Sequence, residues 1–197
     1  MGLDRRDELL LLVAVSGELP ADWIGIAVES ESYGAALITR LKKEGMLRQR
    51  KKDGLWGYLL SAKAKRYLLA RYPEDVERYL MGSSSTNLVK SEPDKRLRLH
   101  RMSMVWIFCR KAGIGIFTHQ KPAIPWEMGR ATEPGVLWEQ SDWAAYYGVA
   151  EWKRPEDLEI KGSRACGLLV GNRGYIVYNT MDRLMKWTPK IERNLAG

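Results

Sequence analysis

Apolar residues recur at helical spacing along the first 45 residues, and the pattern then changes to alternation. Acidic residues, Pro20 and two serines stand where helices are predicted to begin, and Gly17 and Gly45 stand where two of them end. The alternating part turns at Asp53-Gly54, a dipeptide typical of a tight β-hairpin. The predicted elements of this part are helices over 4–17, 20–30, 33–45, 62–72 and 73–81, and strands over 46–52 and 55–60.

A small, polar segment without periodicity, GSSSTN at 82–87, separates this part from the rest of the chain. A long helix, which starts near Pro93 and stops at Gly113, is predicted after it. Strand patterns and a second hairpin around Asn172-Arg173-Gly174 follow. The further predicted elements are strands over 114–119, 135–140 and 143–153, a short helix from Pro155, the hairpin over 168–179 and a helix that starts the segment 180–197.

The order of these elements predicts an α+β protein with two domains. We expect an N-terminal domain over 1–81, a linker over 82–93, and over 94–197 a C-terminal α/β domain built on a small mixed sheet. The last segment, 180–197, begins as a helix and stops without a finishing signal. The sequence therefore also leads us to expect a shortened version of a longer protein.

The charge of the chain indicates what kind of partner it binds, and it says little about the fold. The 197 residues include 32 Lys+Arg and 24 Asp+Glu, which gives a net charge of +8. This charge is concentrated, because eleven basic residues and only two acidic ones lie between Arg40 and Arg71. Such a patch attracts anions in a salt-dependent way, above all the phosphates of nucleic acids.

The small numbers of cysteine and histidine exclude several chemistries. Two cysteines and two histidines are too few for a convincing zinc site, and we expect neither a metal nor a cofactor. The cysteines are expected to be reduced thiols of a cytoplasmic protein. The longest apolar run, 9–15, is too short to span a bilayer, so we expect no membrane partner.

The segment LITRLKKEGMLRQRKKDGLWGYLLSAKAKRYL, residues 37–68, resembles bacterial winged helix-turn-helix proteins. Proteins of this family have a helix that ends in a Leu-x-x-Leu-x-x-x-Gly-like run, then a basic hairpin called the wing, then a Tyr-x-Leu-Ser-like return into another helix. Ala64 departs from the pattern, since the return usually carries Gly. The resemblance covers residues 5–80. It implies binding of double-stranded DNA, with the third helix in a major groove and the wing against the backbone or a minor groove.

The resemblance and the local charge together nominate side chains for contacts with DNA. The third helix would meet base edges or phosphates, and the wing would meet phosphates. The candidate DNA-binding residues are Tyr33, Thr39, Arg40, Lys43, Arg48, Arg50, Lys51 and Lys52. Two other interpretations stay open: a basic face that is merely solvated, and a module that binds another protein. Trp56 is expected in the core rather than on the surface.

Two Glu-x-Lys pairs in the C-terminal domain raise the alternative of a nuclease. Glu151 and Lys153 stand at the end of a predicted strand, where restriction-endonuclease-like folds hold a divalent metal and orient water. The second pair, Glu159 and Lys161, is predicted on a helix. The chemistry also needs an acidic ligand from a neighbouring strand, and the sequence offers no convincing one. We therefore keep Glu151 and Lys153 as weak catalytic candidates and favour a protein that is not an enzyme.

The order of elements around Glu151 also resembles the restriction-endonuclease-like fold. An N-terminal winged helix joined to such a nuclease-like domain, with the run IKGSRACGLLVGNRGYIVYNTMDRLMKW at residues 160–187, resembles the replication-relaxation family. The resemblance implies an accessory or regulatory DNA-binding factor of a plasmid or conjugative element. It does not imply a nicking relaxase, because His100 and His119 are too few for that chemistry. We expect double-stranded DNA as the partner, and a homodimer as one arrangement of the protein.

Overall fold

The computed structural model describes residues 3–81, 92–121, 144–152, 165–171, 174–178 and 189. The described chain is a mixed α+β protein with two small antiparallel sheets, which confirms the predicted class. It divides into two compact units, Met1–Lys111 and Ala112–Gly197. The first unit contains α1 (Arg5–Ser16), β1 (Leu19–Pro20), α2 (Ile24–Val28), α3 (Glu31–Lys43), β2 (Leu47–Lys52), β3 (Leu55–Leu60), α4 (Ala62–Arg71), α5 (Pro73–Leu80) and α6 (Pro93–Lys111). The second contains β4 (Ala145–Gly148), α7 (Val149–Trp152), β5 (Ala165–Val170) and β6 (Gly174–Tyr178).

Helix α1 is the centre of the first unit's core. The Asp4 side chain caps its start by accepting a hydrogen bond from the Arg6 N–H, and Gly17 ends it with φ of 80°. Every residue from Leu9 to Val15 is buried. A helix that is apolar all round must be covered on all sides, which the neighbouring helices and β3 do here.

Helices α2 and α3 are joined by a very short turn. Glu29 takes the left-handed conformation with φ of 62°, and the Ser30 hydroxyl caps α3 by accepting from the Tyr33 N–H at 3.3 Å. A Cβ on Gly34 would lie 3.0 Å from the Ile24 Cγ2, so the two helices pack very closely at this point. The predicted start of the third helix at a serine cap is confirmed.

The three strands of the first unit form an antiparallel sheet in the order β1-β3-β2. Strands β2 and β3 make the predicted hairpin, and both turn residues, Asp53 and Gly54, have positive φ (56° and 73°). This is the geometry that Asp-Gly favours, because a turn of this type follows the twist of the strands. Strand β1 is only two residues long and pairs with Tyr58 and Gly57 of β3. The sequence analysis did not predict it.

A buried carboxylate ties α4 to α1. Asp7 accepts hydrogen bonds from the Tyr67 hydroxyl at 2.8 Å and from the Tyr72 hydroxyl at 2.7 Å, and it pairs with Arg6. Ser61 caps α4 as predicted, and Pro73 stands at the first position of α5.

Helix α6 belongs to the first unit. The sequence places it after the domain boundary, but in the structure it packs along α1 and against β1 and β3. Its buried residues include Arg96, His100 and Trp106. The Arg110 guanidinium donates to Glu8 of α1 and, at 3.1 Å, to the Ala27 carbonyl of α2. Of the expected linker over 82–93, residues 82–91 lie outside the described residues, and Pro93 already begins α6.

The second unit differs from prediction at two points. Its described strands pair antiparallel in the order β4-β5-β6, whereas a mixed sheet was expected; the parallel pairing recorded there is a single bridge from Gly115 to Ala145. The strand predicted over 143–153 is also wrong in part, because it ends at Gly148 and α7 follows. Glu151 explains this change, since its carboxylate accepts the Gly148 N–H at 2.7 Å as residues at a helix start do.

The remaining predictions for this unit have mixed outcomes. The hairpin near residue 174 is confirmed by the pairing of β5 with β6. The region 114–119 contains the Gly115 bridge and a single 3₁₀ turn at Thr118–Gln120 rather than a full strand. The predicted strand over 135–140, the helix from Pro155, the turn residues 172–173 and the helix after 180 lie outside the described residues.

Two findings bear on the expected environment of the protein. Cys109 and Cys166 are both buried and not joined in a disulfide, and burial raises the pKa of the Cys109 thiol to about 11. None of the helices in the described part of the chain has the length and apolar character that crossing a bilayer requires.

Candidate nucleic-acid interface

Helix α3 presents one apolar face to the core and one polar face to solvent. The sequence supplies apolar residues at helical spacing, and Gly34, Leu37, Ile38 and Leu41 are buried. All four candidate residues of this helix lie on the exposed face: Tyr33, Thr39, Arg40 and Lys43. The structure therefore brings the α3 candidates together on one surface.

Two of these side chains already have partners within the protein. The Thr39 hydroxyl donates to the Ala35 carbonyl at 2.9 Å, and Arg40 pairs with Glu44 at 2.8 Å. Hydrogen bonds from Arg40 and Arg6 lower the pKa of the Glu44 carboxyl, which stays ionised and offsets part of the Arg40 charge. Lys43 is exposed on the same face.

The candidate residues of the hairpin point in two directions, because side chains alternate along a strand. Gln49 and Lys51 of β2 lie opposite Tyr58 and Trp56 of β3, on one face of the hairpin. We call this the Trp56 face. The opposite face carries Arg48, Arg50 and Lys52, which lie across from Leu59, Gly57 and Leu55.

The Trp56 face continues onto α3. The Lys42 ammonium donates to the Gln49 side-chain oxygen at 2.8 Å and so connects the end of α3 to this face of the hairpin. The Lys51 ammonium lies 5.2 Å from the centre of the Trp56 ring, a cation–π contact. The exposed face of α3 and the Trp56 face of the hairpin therefore form one continuous surface.

Trp56 is a correction to the sequence analysis. It was expected in the core, but 43% of its surface is exposed. The sequence analysis also missed Lys42 and Gln49 as members of this surface. Strand parity could have revealed Trp56, since it shares a face with the charged Lys51 in any register that follows from a two-residue Asp53-Gly54 turn.

Arg50 does not lie with the exposed hairpin residues. Its side chain is only 22% exposed, and one guanidinium nitrogen lies 3.8 Å from the carboxylate of Glu18, which is fully buried. Arg48 and Lys52, on the same face of β2, are exposed. Of the four hairpin candidates, Arg50 is therefore placed to balance an internal charge as well as to attract an external one.

A buried cluster of charged groups lies against this second face of the hairpin. The Arg96 guanidinium contacts both oxygens of Glu18, at 2.5 and 3.0 Å, and the His100 Nε2 lies 3.0 Å from one of them. Burial by itself would raise the pKa of the Glu18 carboxyl. The hydrogen bonds and charges of His100 and Arg96 outweigh it and lower the pKa to about 2.

Gly57 makes room for this cluster. A Cβ at that position would fall 2.6 Å from a Glu18 oxygen and 2.9 Å from the His100 Nε2. A glycine inside a strand marks the close approach of another group, and it is the one sequence signal that could have pointed to the cluster.

The candidate catalytic residues are placed differently from the nuclease pattern. Glu151 lies in α7 rather than at a strand end, and its carboxylate pairs with the Lys121 ammonium at 2.6 Å. Both side chains are nearly fully buried, and Lys121 also donates to the carbonyls of Ile116 and Tyr146. Lys153 lies outside the described residues. Within the described ranges, no three His, Cys, Asp or Glu side chains come together as metal ligands.

The comparisons with known proteins add no family to these observations. Neither protein-family models nor curated proteins nor solved structures gave a match to this chain. We therefore infer the function from the chain's own residues and their arrangement.

Proposed function

We propose that this protein binds double-stranded DNA in a sequence-specific manner and that its first unit is a winged helix-turn-helix. The proposal is supported by the order of α1, α2, α3 and the hairpin, by the short α2–α3 turn, and by the sheet order β1-β3-β2. In this proposal α3 is the recognition helix and the hairpin over 47–60 is the wing.

The observation that carries the proposal is the continuous surface formed by α3 and the Trp56 face. Exposed basic side chains, a hydroxyl-bearing tyrosine and an exposed tryptophan lie on two elements that the Lys42–Gln49 contact connects. Basic groups attract phosphates, while Tyr33 at the start of α3 is placed to contact a base edge or a phosphate. A basic face that is merely solvated needs neither the hairpin nor the exposed tryptophan.

The cellular role that fits this activity is that of an accessory or regulatory factor of a plasmid or conjugative element. This part of the proposal is supported by the resemblance to the replication-relaxation family, which joins a winged helix to a second domain with the run at residues 160–187. A palindromic target site would favour a homodimer, since the symmetry of a DNA site mirrors that of the protein bound to it. The protein would act in the cytoplasm.

The first experiment is selection of bound sequences from random duplex DNA with the full chain. Sequence-specific binding predicts enrichment of a common motif. Recovery of DNA without a motif would reduce the proposal to non-specific binding. Cleavage of a supercoiled plasmid with Mg²⁺ would instead favour the nuclease alternative, and absence of any DNA binding would favour a protein-interaction module.

Replacing Lys51 and Lys52 together with Ala tests the hairpin as a contact. Both are exposed and lie next to the turn, and unlike Arg50 neither has a recorded contact with the buried Glu18. If each meets one phosphate, the slope of log K against log salt becomes shallower by about 2, because each lost contact changes it by about 1. The measurement is a salt titration followed by fluorescence anisotropy.

The matched control replaces Arg98 and Lys111 with Ala. Both are exposed basic residues of α6, so this variant loses the same net charge as the hairpin variant. It should retain the slope of the unmodified protein within about 0.5, as expected when no phosphate contact is lost. Equal losses in the two variants would show that only net charge matters and would contradict the hairpin contact.

A further inference from the structure

A residue distant in sequence, Arg96, donates hydrogen bonds to the backbone on both sides of the hairpin turn. Arg96 of α6 donates to the Lys52 carbonyl at 2.7 Å and to the Leu55 carbonyl at 3.3 Å. These two carbonyls flank the Asp53-Gly54 turn. The same guanidinium reaches the Arg50 carbonyl at 3.5 Å and is fully buried.

The Arg96 guanidinium also contacts the Glu18 side chain, which fixes the position of the guanidinium. Its Nε and one terminal nitrogen donate to the two oxygens of Glu18, next to β1. A guanidinium has five N–H donors in a rigid plane, so it can meet a carboxylate and several carbonyls at the same time. Glu18 thereby sets the orientation of Arg96, and Arg96 sets the backbone on both sides of the turn.

Arg96 contacts the hairpin at the part that β1 does not pair with. Strand β1 pairs only with Gly57 and Tyr58, so residues 55–56 extend past its end. A two-stranded hairpin is marginally stable by itself. Arg96 supplies a hydrogen-bond donor to Leu55 beyond the last residue pair of β1 and β3.

We propose that Arg96 is a positioning residue for the DNA contacts of the hairpin. The inference rests on the proposed DNA-binding function and assigns a determinant of that function to α6, which follows the expected 1–81 domain. Arg96 does not touch DNA in this arrangement, because it is buried. It fixes the turn, so that Lys51 and Trp56 meet DNA together with α3.

The variant Arg96→Lys separates this role from the ion pair. A lysine keeps a positive charge opposite Glu18 but loses the planar fork that reaches the carbonyls as well. The matched control is Arg110→Lys, on the same helix. Arg110 is mostly buried, pairs with Glu8 and donates to a carbonyl, and its recorded contacts are with α1, α2 and Glu29 rather than with the hairpin.

The first measurement needs no DNA. Amide hydrogen exchange of the full chain should show faster exchange at residues 51–56 in Arg96→Lys, with the amides of α1 unchanged. Arg110→Lys should leave the hairpin at the rate of the unmodified protein. Exchange at 51–56 that is unchanged in Arg96→Lys, or equally fast in both variants, would overturn the inference.

The second measurement couples Arg96 to the DNA contact. Lys51→Ala should make the salt slope shallower by about 1 in the otherwise unmodified protein. In the Arg96→Lys background, Lys51→Ala should change the salt slope by less than half as much, because the hairpin no longer holds Lys51 against DNA. Lys43→Ala on α3 should have the same effect in both backgrounds.

The outcomes distinguish the inference from the proposed function. If Lys51→Ala has the same effect in both backgrounds, Arg96 is merely structural and the inference is wrong. If the unmodified protein binds no duplex DNA, the proposed function fails, and the inference fails with it as a statement about DNA. The exchange measurement then still decides whether Arg96 holds the turn.

Discussion

Glu18 is a buried acid of the first unit, and its ionisation is coupled to folding. Its carboxylate is fully buried, and removing a charge from water is costly unless opposite charges and hydrogen-bond donors compensate. Arg96 and His100 supply that compensation and lower the pKa of Glu18 from 4.5 to about 2. The ionised form is therefore favoured by folding, and protonation works against the folded state.

This shift predicts an acid-dependent loss of stability. The contribution of Glu18 is fully present above the unfolded pKa near 4.5 and is lost as the pH falls toward about 2. The shift corresponds to about 3 kcal/mol of unfolding free energy. We expect urea unfolding between pH 6 and pH 3 to show a smaller decrease in Glu18→Gln than in the unmodified protein.

The decrease in unfolding free energy between pH 6 and pH 3 is measured in each protein, and the difference between the two decreases is due to Glu18 alone. Glu29 and Glu44 also have lowered pKa values, but they are present in both proteins and cancel in the difference. Glu18→Gln will itself be less stable at pH 6, since it leaves Arg96 without a buried counter-charge. Identical pH dependence in the two proteins would contradict the assignment of the shift to Glu18.

At the scale of elements, α3 depends on the serine that starts it. The Ser30 hydroxyl satisfies the Tyr33 N–H at the exposed start of the helix. Ser30→Ala should lower the unfolding free energy by about 1 kcal/mol, the usual cost of losing such a cap. Thermal unfolding followed by circular dichroism measures it.

A rescue variant makes this prediction specific. Ser30→Asp retains a side-chain oxygen for the same N–H and should recover most of the lost stability. If Ser30→Asp is as unstable as Ser30→Ala, the cap does not contribute and the loss has another origin.

The sequence predicted the elements of the first unit well because their signals are local. Gly45 after α3, the Asp53-Gly54 turn and Ser61 before α4 each act within a few residues of their own position. The Trp56 face follows from the register of the same hairpin, although the exposure of Trp56 was not predicted. The second unit was predicted less well, since the expected strand gives way to α7 after Gly148, where the Glu151 carboxylate accepts the Gly148 N–H.

The buried cluster of Glu18, Arg96 and His100 could not be predicted from local sequence patterns. Arg96 and Glu18 are separated by 78 residues, and neither departs from what a helix or a loop ordinarily contains. Only Gly57, a small residue in a strand, indicated that something approaches closely. Long-range pairing of this kind depends on how α6 packs, which periodicity does not reveal.

At the scale of the whole molecule, the first unit extends to residue 111 rather than to residue 81. Helix α6 covers α1 and supplies two of the partners of Glu18, Arg96 and His100. A fragment that ends at residue 81 therefore loses Arg96 and His100 from this carboxylate and leaves apolar surface of α1 uncovered.

The two predicted boundaries can be distinguished by comparing the stability of the fragments 1–81 and 1–111. We expect the fragment 1–111 to unfold cooperatively. The fragment 1–81 should be less stable by at least about 3–5 kcal/mol, because it lacks Leu99, Trp106 and Ile107 of α6, and burying such a side chain contributes about 1.5–3 kcal/mol. This corresponds to a melting temperature lower by roughly 15 °C or more. Calorimetry of the two fragments provides the measurement. Equal melting temperatures would place the boundary at residue 81 after all.

The charged sequence of β2 has one more consequence, which concerns self-association. In the sheet order β1-β3-β2, β2 is an edge strand, and an edge strand presents unpaired backbone groups to any other extended chain. Four of its six residues are Arg or Lys. Two copies brought edge to edge would place these like charges against each other, so the strand that we propose to hold DNA also discourages the protein from aggregating through its sheet.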